Sequence, residues 1–200
     1  MFPCFGNKAR SYSGSTVAQS WRVRSGRHKA APRPLDQPGL ERLGLFYVGR
    51  YATTQAKLRT YLNRKVRERG WKDPSAPGVD SIVERFVELG YIDDEAFALA
   101  RGEALQRRGF GARRVGLALR SAGVAGDAAD AVREQLEDGA IAAALRFARR
   151  RKIGPYAAAP ADRAAQQKAF AAMMRAGHPG EIVRKVLGAS PEELQEFDEP

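Results

Sequence analysis

Asp93, Asp94 and Glu95 stand side by side, and clustered carboxylates of this kind can hold a divalent cation for phosphodiester chemistry. Their spacing argues against it. Adjacent positions on a helix point in different directions, and no second acidic group at ligand spacing accompanies them. The three residues also follow Leu89-Gly90, where a glycine stops one helix, and precede Phe97, where a new apolar pattern begins. A carboxylate at such a place accepts hydrogen bonds from free backbone N–H groups and opposes the positive end of the helix dipole. Asp93 or Asp94 is therefore expected to cap a helix. Cys4 is the single cysteine, and His28 and His178 lie far apart, so neither a disulfide nor a Cys- or His-based metal site is expected. No phosphate-binding glycine loop is present. The sequence thus predicts no catalytic residues, no cofactor and no bound metal.

The other chemistry on offer is anion binding. Thirty-four Lys and Arg outnumber twenty-three Asp and Glu, a net charge of +11. Residues 1–38 hold seven of the cations against Asp36 alone, whereas the last twelve residues hold five acids and no base. The remaining cations recur in clusters. Lys57, Arg64 and Arg67 fall on one flank of an early helix, and Arg107, Arg108, Arg113, Arg114 and Arg120 form a central set. Arg146, Arg149 and Arg150, with Arg151 and Lys152, end a later helix, and Lys168 and Arg175 are expected to repeat the positions of Arg113 and Arg120. The planar guanidinium makes bidentate contacts to phosphate or carboxylate. Attraction of cations to helix C-termini accounts for Arg107, Arg108 and the 149–152 run, but not for Arg113, near a helix start. Leu117 lies between Arg113 and Arg120 on the outward side and could anchor a protein partner whose acidic rim meets the arginines. A basic body of this kind fits nucleic acid or a nucleoprotein, with phosphate contacts to single- or double-stranded DNA.

These side chains must be positioned by helices, because no β-branched alternating run supports a sheet. Leu40, Leu43, Tyr47 and Val48 share their spacing with Phe97, Ala100, Ala104 and Leu105, 57 residues later. Leu58, Tyr61 and Leu62 are echoed by Val115, Ala118 and Leu119, and after 55 more residues by Phe170, Met173 and Met174. Val83, Phe86 and Val87 are echoed by Val132, Gln135 and Leu136, then by Val183, Val186 and Leu187. The expectation is an all-α protein of three tandem three-helix repeats, at 39–91, 92–139 and 140–189. A disordered basic arm at 1–38 precedes them and an acidic tail at 190–200 follows. Units this small cover one another's edges when stacked, which predicts an elongated body. No run of about 18 apolar residues and no apolar signal region occurs, so a cytoplasmic protein without membrane contact is expected, as a monomer.

Gly90-Tyr91-Ile92-Asp93-Asp94-Glu95-Ala96-Phe97-Ala98, Arg107-Arg108-Gly109-Phe110-Gly111 and Leu119-Arg120-Ser121-Ala122-Gly123-Val124, set within three three-helix units, closely resemble the RecX family, bacterial modulators of the RecA recombinase. The resemblance runs from about Gly39 to Gly188 and is strongest in the middle unit. It implies an all-helical protein without catalytic residues that binds in the groove of a RecA–DNA filament and restrains its ATPase and strand exchange, within DNA repair and the SOS response. A three-helix unit with a basic second helix also looks like a helix-turn-helix DNA reader. Gly111–Ala122 offers arginines but no Asn or Gln for adenine edges, which makes base readout thin.

Overall fold

A computed structural model describes residues 33–190 apart from Ala125 and Pro160, and leaves the Asp127 side chain undescribed. Nine α-helices account for most of the described residues: α1 Gln37–Val48, α2 Gln55–Arg69, α3 Val79–Glu88, α4 Asp94–Arg107, α5 Ala112–Ser121, α6 Asp127–Gln135, α7 Ala140–Arg151, α8 Arg163–Arg175 and α9 Gly180–Gly188. A 3-10 turn at Gly154–Tyr156 fills the Pro-containing break between α7 and α8. Among the described residues the sole β-type pairing is the isolated bridge of Leu35 with Trp71. The protein is all-α, as the periodicity predicts.

Each successive set of three helices surrounds its own apolar cluster. Leu40, Leu58, Leu62, Val83 and Phe86 form the first, Ala98, Leu105, Val115, Leu119, Val132 and Leu136 the second, and Ala144, Phe147, Met173, Val183 and Val186 the third. Burying a side chain of this size is worth about 1.5–3 kcal/mol, so every helix is held chiefly by its apolar face. Small residues let the helices close up. A Cβ placed at Gly102 of α4 would come within 2.7 Å of Leu136 and 3.1 Å of Val132, so a larger residue there would push α6 away.

The helix boundaries follow local chemistry. Gly90 adopts φ +71° after α3, a left-handed conformation that glycine reaches without a Cβ clash. Asp93 then caps α4, its carboxylate accepting the Ala96 N–H at 2.8 Å. Asp36, Thr54 and Asp162 cap α1, α2 and α8 in the same way.

Three expectations need correction. Residues 33–38 belong to the folded body and not to an arm: Leu35 is 3% exposed within the first cluster, and α1 begins at Gln37. Residues 1–32 and the tail from 191 lie outside the described residues. The buried stripe of α4 runs through Ala98, Gly102 and Leu105 while Ala100 is exposed, because the close approach of α6 is made over Gly102. In α3, Ile82 joins Val83 and Phe86 inside and Val87 turns outward.

Candidate functional site: basic grooves at the joints between helix triads

The second helices of the three triads meet end to start. Gly111 N–H donates to the Ala176 carbonyl at 3.0 Å, and Arg113 N–H to the Gly177 carbonyl at 3.1 Å. The free amides at the start of α5 are thereby answered by carbonyls at the end of α8, and the positive end of one helix faces the negative end of another. One triad earlier, the buried Thr54 hydroxyl donates to the Ala122 carbonyl at 2.5 Å, and the Gln55 N–H donates to the Asp94 carboxylate at 3.0 Å. Of the two candidate caps Asp93 is the one that caps α4, and Asp94 ties the start of α2 to the start of α4. Both joints require a bare glycine. A Cβ at Gly123 would lie 2.1 Å from Ala56 Cβ, and one at Gly177 would lie 2.4 Å from Arg114 N.

His178 seals the second joint. It is 2% exposed, its Nε2 lies 3.2 Å from the Gly109 carbonyl, and Nδ1 has no partner. A carbonyl only accepts, so Nε2 carries the proton. Burial lowers the pKa of the ring, and the Gly109 hydrogen bond opposes that shift more weakly.

Each joint opens outward into a groove with a basic rim and an aromatic wall. The first, of about 570 Å³, is lined by Tyr47, Lys57, Tyr61 and Arg64 from the first triad and by Arg120–Gly123 from the second. Tyr47 and Tyr61 stack with centroids 4.3 Å apart, Arg64 lies 5.7 Å from the Tyr61 ring, and Lys57 reaches across to the Phe97 ring at 4.7 Å. The second groove, of about 600 Å³, is lined by Phe110, Arg114, Phe147, Arg151, Lys168 and Arg175. Arg108, Arg114 and Arg150 all converge on Phe110, at 5.5, 5.9 and 6.0 Å from its ring.

The acids are deployed elsewhere. Asp80 pairs with Arg59 at 2.7 Å, Glu41 with Arg85 at 2.9 Å and Glu103 with Arg107 at 3.2 Å. Lys72, through the hydrogen bond it donates, holds the Asp36 carboxyl below its usual range. Lys57, Arg114, Arg120, Arg151, Lys168 and Arg175 form no ion pair with a described residue, and Arg64 meets Glu68 only at 3.7 Å. Uncompensated cations beside an aromatic wall can take a phosphate or carboxylate together with a flat or apolar neighbour.

Of the residues singled out in the sequence, Lys57, Arg64 and Arg120 meet in the first groove, and Arg114, Lys168 and Arg175 meet in the second, with Arg108 and Arg150 at its edge on Phe110. Arg67, Arg107, Arg113, Arg146 and Arg149 are exposed outside both, with Arg149 over the Tyr156 ring at 5.2 Å. Leu117 is outward-facing, 48% exposed, and also outside the grooves. The expected equivalence of Lys168 and Arg175 with Arg113 and Arg120 shifts by one residue. Ala169 and Met173 are the buried counterparts of Val115 and Leu119, which aligns Lys168 with Arg114. Arg151, part of the basic run that ends α7, also lines the second groove, while Tyr47, Tyr61 and Phe110 are groove residues that the charge pattern alone did not single out. The interleaving of Phe110 with arginines in Arg107-Arg108-Gly109-Phe110 was the available signal.

No family model matches the chain. A curated relative from Myxococcus xanthus, "Regulatory protein RecX", is 31% identical over 171 residues, covering 80% of this chain and 90% of that protein. The chain belongs to the RecX family. A second member, from Agrobacterium fabrum, is 32% identical over 148 residues, covering 72% of this chain and 79% of that protein. The crystal structure of RecX from Lactobacillus salivarius superposes with a TM-score of 0.62 at 16% identity, over 80% of this chain and 94% of that one. A second RecX crystal structure gives a TM-score of 0.63 at 17% identity, over 76% and 73% of the two chains. The RecX fold is therefore shared at low identity. No helix among the described residues is long and apolar enough to cross a membrane.

Proposed function

We propose that this chain is a non-enzymatic regulator of DNA recombination and repair that binds the RecA–DNA filament and restrains its ATPase and strand exchange. The carrying observation is the pair of joint grooves, each with cations that no described acid neutralises and each with an aromatic wall. Repetition at the spacing of the triads suits a partner that itself repeats. Linked weak contacts act at high effective concentration, and avidity can exceed the affinity of one contact by about 10² to 10⁴. A DNA-free recombinase subunit presents no such array, so the assembled filament is the target. The protein acts as a cytoplasmic monomer, with the groove cations taking DNA phosphates or acidic side chains of the filament.

The helix-turn-helix reading is the weaker one. A recognition helix enters the major groove through its N-terminal residues. The start of α5 is occupied by the Ala176 and Gly177 carbonyls, and the start of α2 lies against Ala122 and Gly123. The experiment is co-sedimentation with preformed recombinase–DNA filaments and with DNA-free recombinase, alongside filament-dependent ATP hydrolysis. Binding to filaments alone, with slowed hydrolysis, is expected. Equal affinity for free subunits, or binding to a fixed DNA sequence without recombinase, defeats the proposal.

A further inference from the structure

Three glycine turns follow the second helices, at Gly70, Gly123 and Gly177, with φ of +81°, +82° and +96°. The Gly123 turn receives the start of α2, and the Gly177 turn receives the start of α5. Gly70 belongs to the first triad, and among the described residues no helix start seats on it. Pro34–Asp36 occupies the vacant place. Leu35 N–H donates to the Gly70 carbonyl at 2.9 Å, the same bond that Arg113 N–H makes to Gly177, and Lys72 N–H returns to the Leu35 carbonyl at 2.9 Å. The Leu35 side chain is buried, Asp36 pairs with Lys72 at 2.9 Å, and Arg69 Nε donates to the Arg33 carbonyl at 3.1 Å. The approach is looser than at a true joint: a Cβ at Gly70 would have Pro34 at 4.0 Å as its nearest neighbour.

In the third triad, no glycine turn among the described residues receives the start of α8. α8 starts after Asp162, and exposed Ala164 is the second residue beyond that cap, as Ala56 is beyond Thr54. We propose that Pro34–Asp36 is an end cap that shuts a docking face for a second copy of this chain. With the strand lifted, the start of α8 in one copy seats on the Gly70 turn of the next, as α5 seats on Gly177 within a single chain. The two faces belong to different triads and differ, so the contact is head-to-tail and adds copies without closing. The Gly70 face is neither of the two grooves proposed for the recombinase, while the start of α8 borders the second groove at Ala165.

The test uses the full-length protein, without DNA or recombinase. Leu35→Asp places a carboxylate in the apolar site beside Trp71 and releases the strand, read as a shift of Trp71 emission in a Trp21→Phe background. In sedimentation velocity, the intact chain and Ala164→Trp are expected to stay at monomer mass at all concentrations. Leu35→Asp is expected to rise past twice the monomer mass as concentration increases, and Leu35→Asp with Ala164→Trp to return to monomer. Should Leu35→Asp lose its cooperative helical melt, Leu35→Ala, which keeps the backbone and weakens the anchor, must show the same Ala164→Trp-sensitive association. A folded, uncapped variant that stays monomeric overturns the proposal, and so does association that Ala164→Trp leaves unchanged.

Discussion

Replacing Arg114, Lys168 and Arg175 together with Gln removes three cations from the second groove and leaves its aromatic wall. All three are exposed and form no ion pair with a described residue, so folding stability should change by no more than about 0.5 kcal/mol per site. The effect on binding follows from counterion release. Each phosphate contact contributes about 0.7 to the slope of log K against log salt for a single strand, and three contacts about 2. Between 50 and 200 mM salt a slope of that size corresponds to about 20-fold in affinity. The parent should therefore lose about 20-fold more affinity than the variant over that interval, and the two should converge at high salt. Fluorescence anisotropy with a labelled single strand, repeated with recombinase-coated DNA, reads this directly. Arg59→Gln with Arg85→Gln, which removes cations already paired with Asp80 and Glu41, is the control and should leave the slope unchanged. An unaltered slope in the triple variant, or an equal loss in the control, refutes the groove as an anion site.

Further outcomes follow from the joints. Gly123→Ala combines a left-handed φ, costing about 1–2 kcal/mol for an alanine, with overpacking against Ala56, costing about 1–3 kcal/mol; Gly90→Ala carries the first cost alone, because nothing lies within 4 Å of its Cβ. Urea unfolding should place Gly123→Ala clearly below Gly90→Ala, and equal losses would mean that the joint is not tightly packed. His178 has a folded pKa below its unfolded value near 6.5, so the unfolded state binds the proton more readily. Stability should be complete above about pH 6.5 and decline as pH falls below it. His178→Gln can still donate to the Gly109 carbonyl but does not titrate, so its melting temperature should vary less between pH 7.5 and 5.5; an identical decline in both proteins would place the effect elsewhere.

The helix order and most of the core were legible because they rest on local rules. Gly90 and Asp93 mark the boundary between α3 and α4, and Leu58–Leu62 and Val115–Leu119 carry their buried faces in plain i, i+4 spacing. Reading failed where size rather than hydrophobicity decides burial. Gly102 lies on the inner line of α4 yet scores as no core residue, and this displaced the stripe toward Ala100. In the third triad, Phe170 and Met174 outrank Ala169 by side-chain size, which set the repeat off by one. The grooves were beyond local rules altogether. Arg64 and Arg120 are far apart in sequence, and only the seating of Ala56 on Gly123 brings them to one rim.

The joints between triads lean on main chain, through the N–H groups of Gln55, Gly111 and Arg113 and the carbonyls of Ala122, Ala176 and Gly177, with the Thr54 hydroxyl and Asp94 carboxylate as the side-chain partners of the first. Beyond Thr54, Asp94 and His178, contacts of this kind ask for little except smallness at Ala56, Gly123 and Gly177. Divergence can therefore proceed along two separate tracks. Glycines and small residues fix how far apart successive grooves lie, while the residues on the rims set what is gripped and how tightly. A lineage can exchange nearly every outward side chain, retuning its target, and still inherit the same spacing. The superposition with the Lactobacillus salivarius structure at 16% identity shows how much drift the fold tolerates.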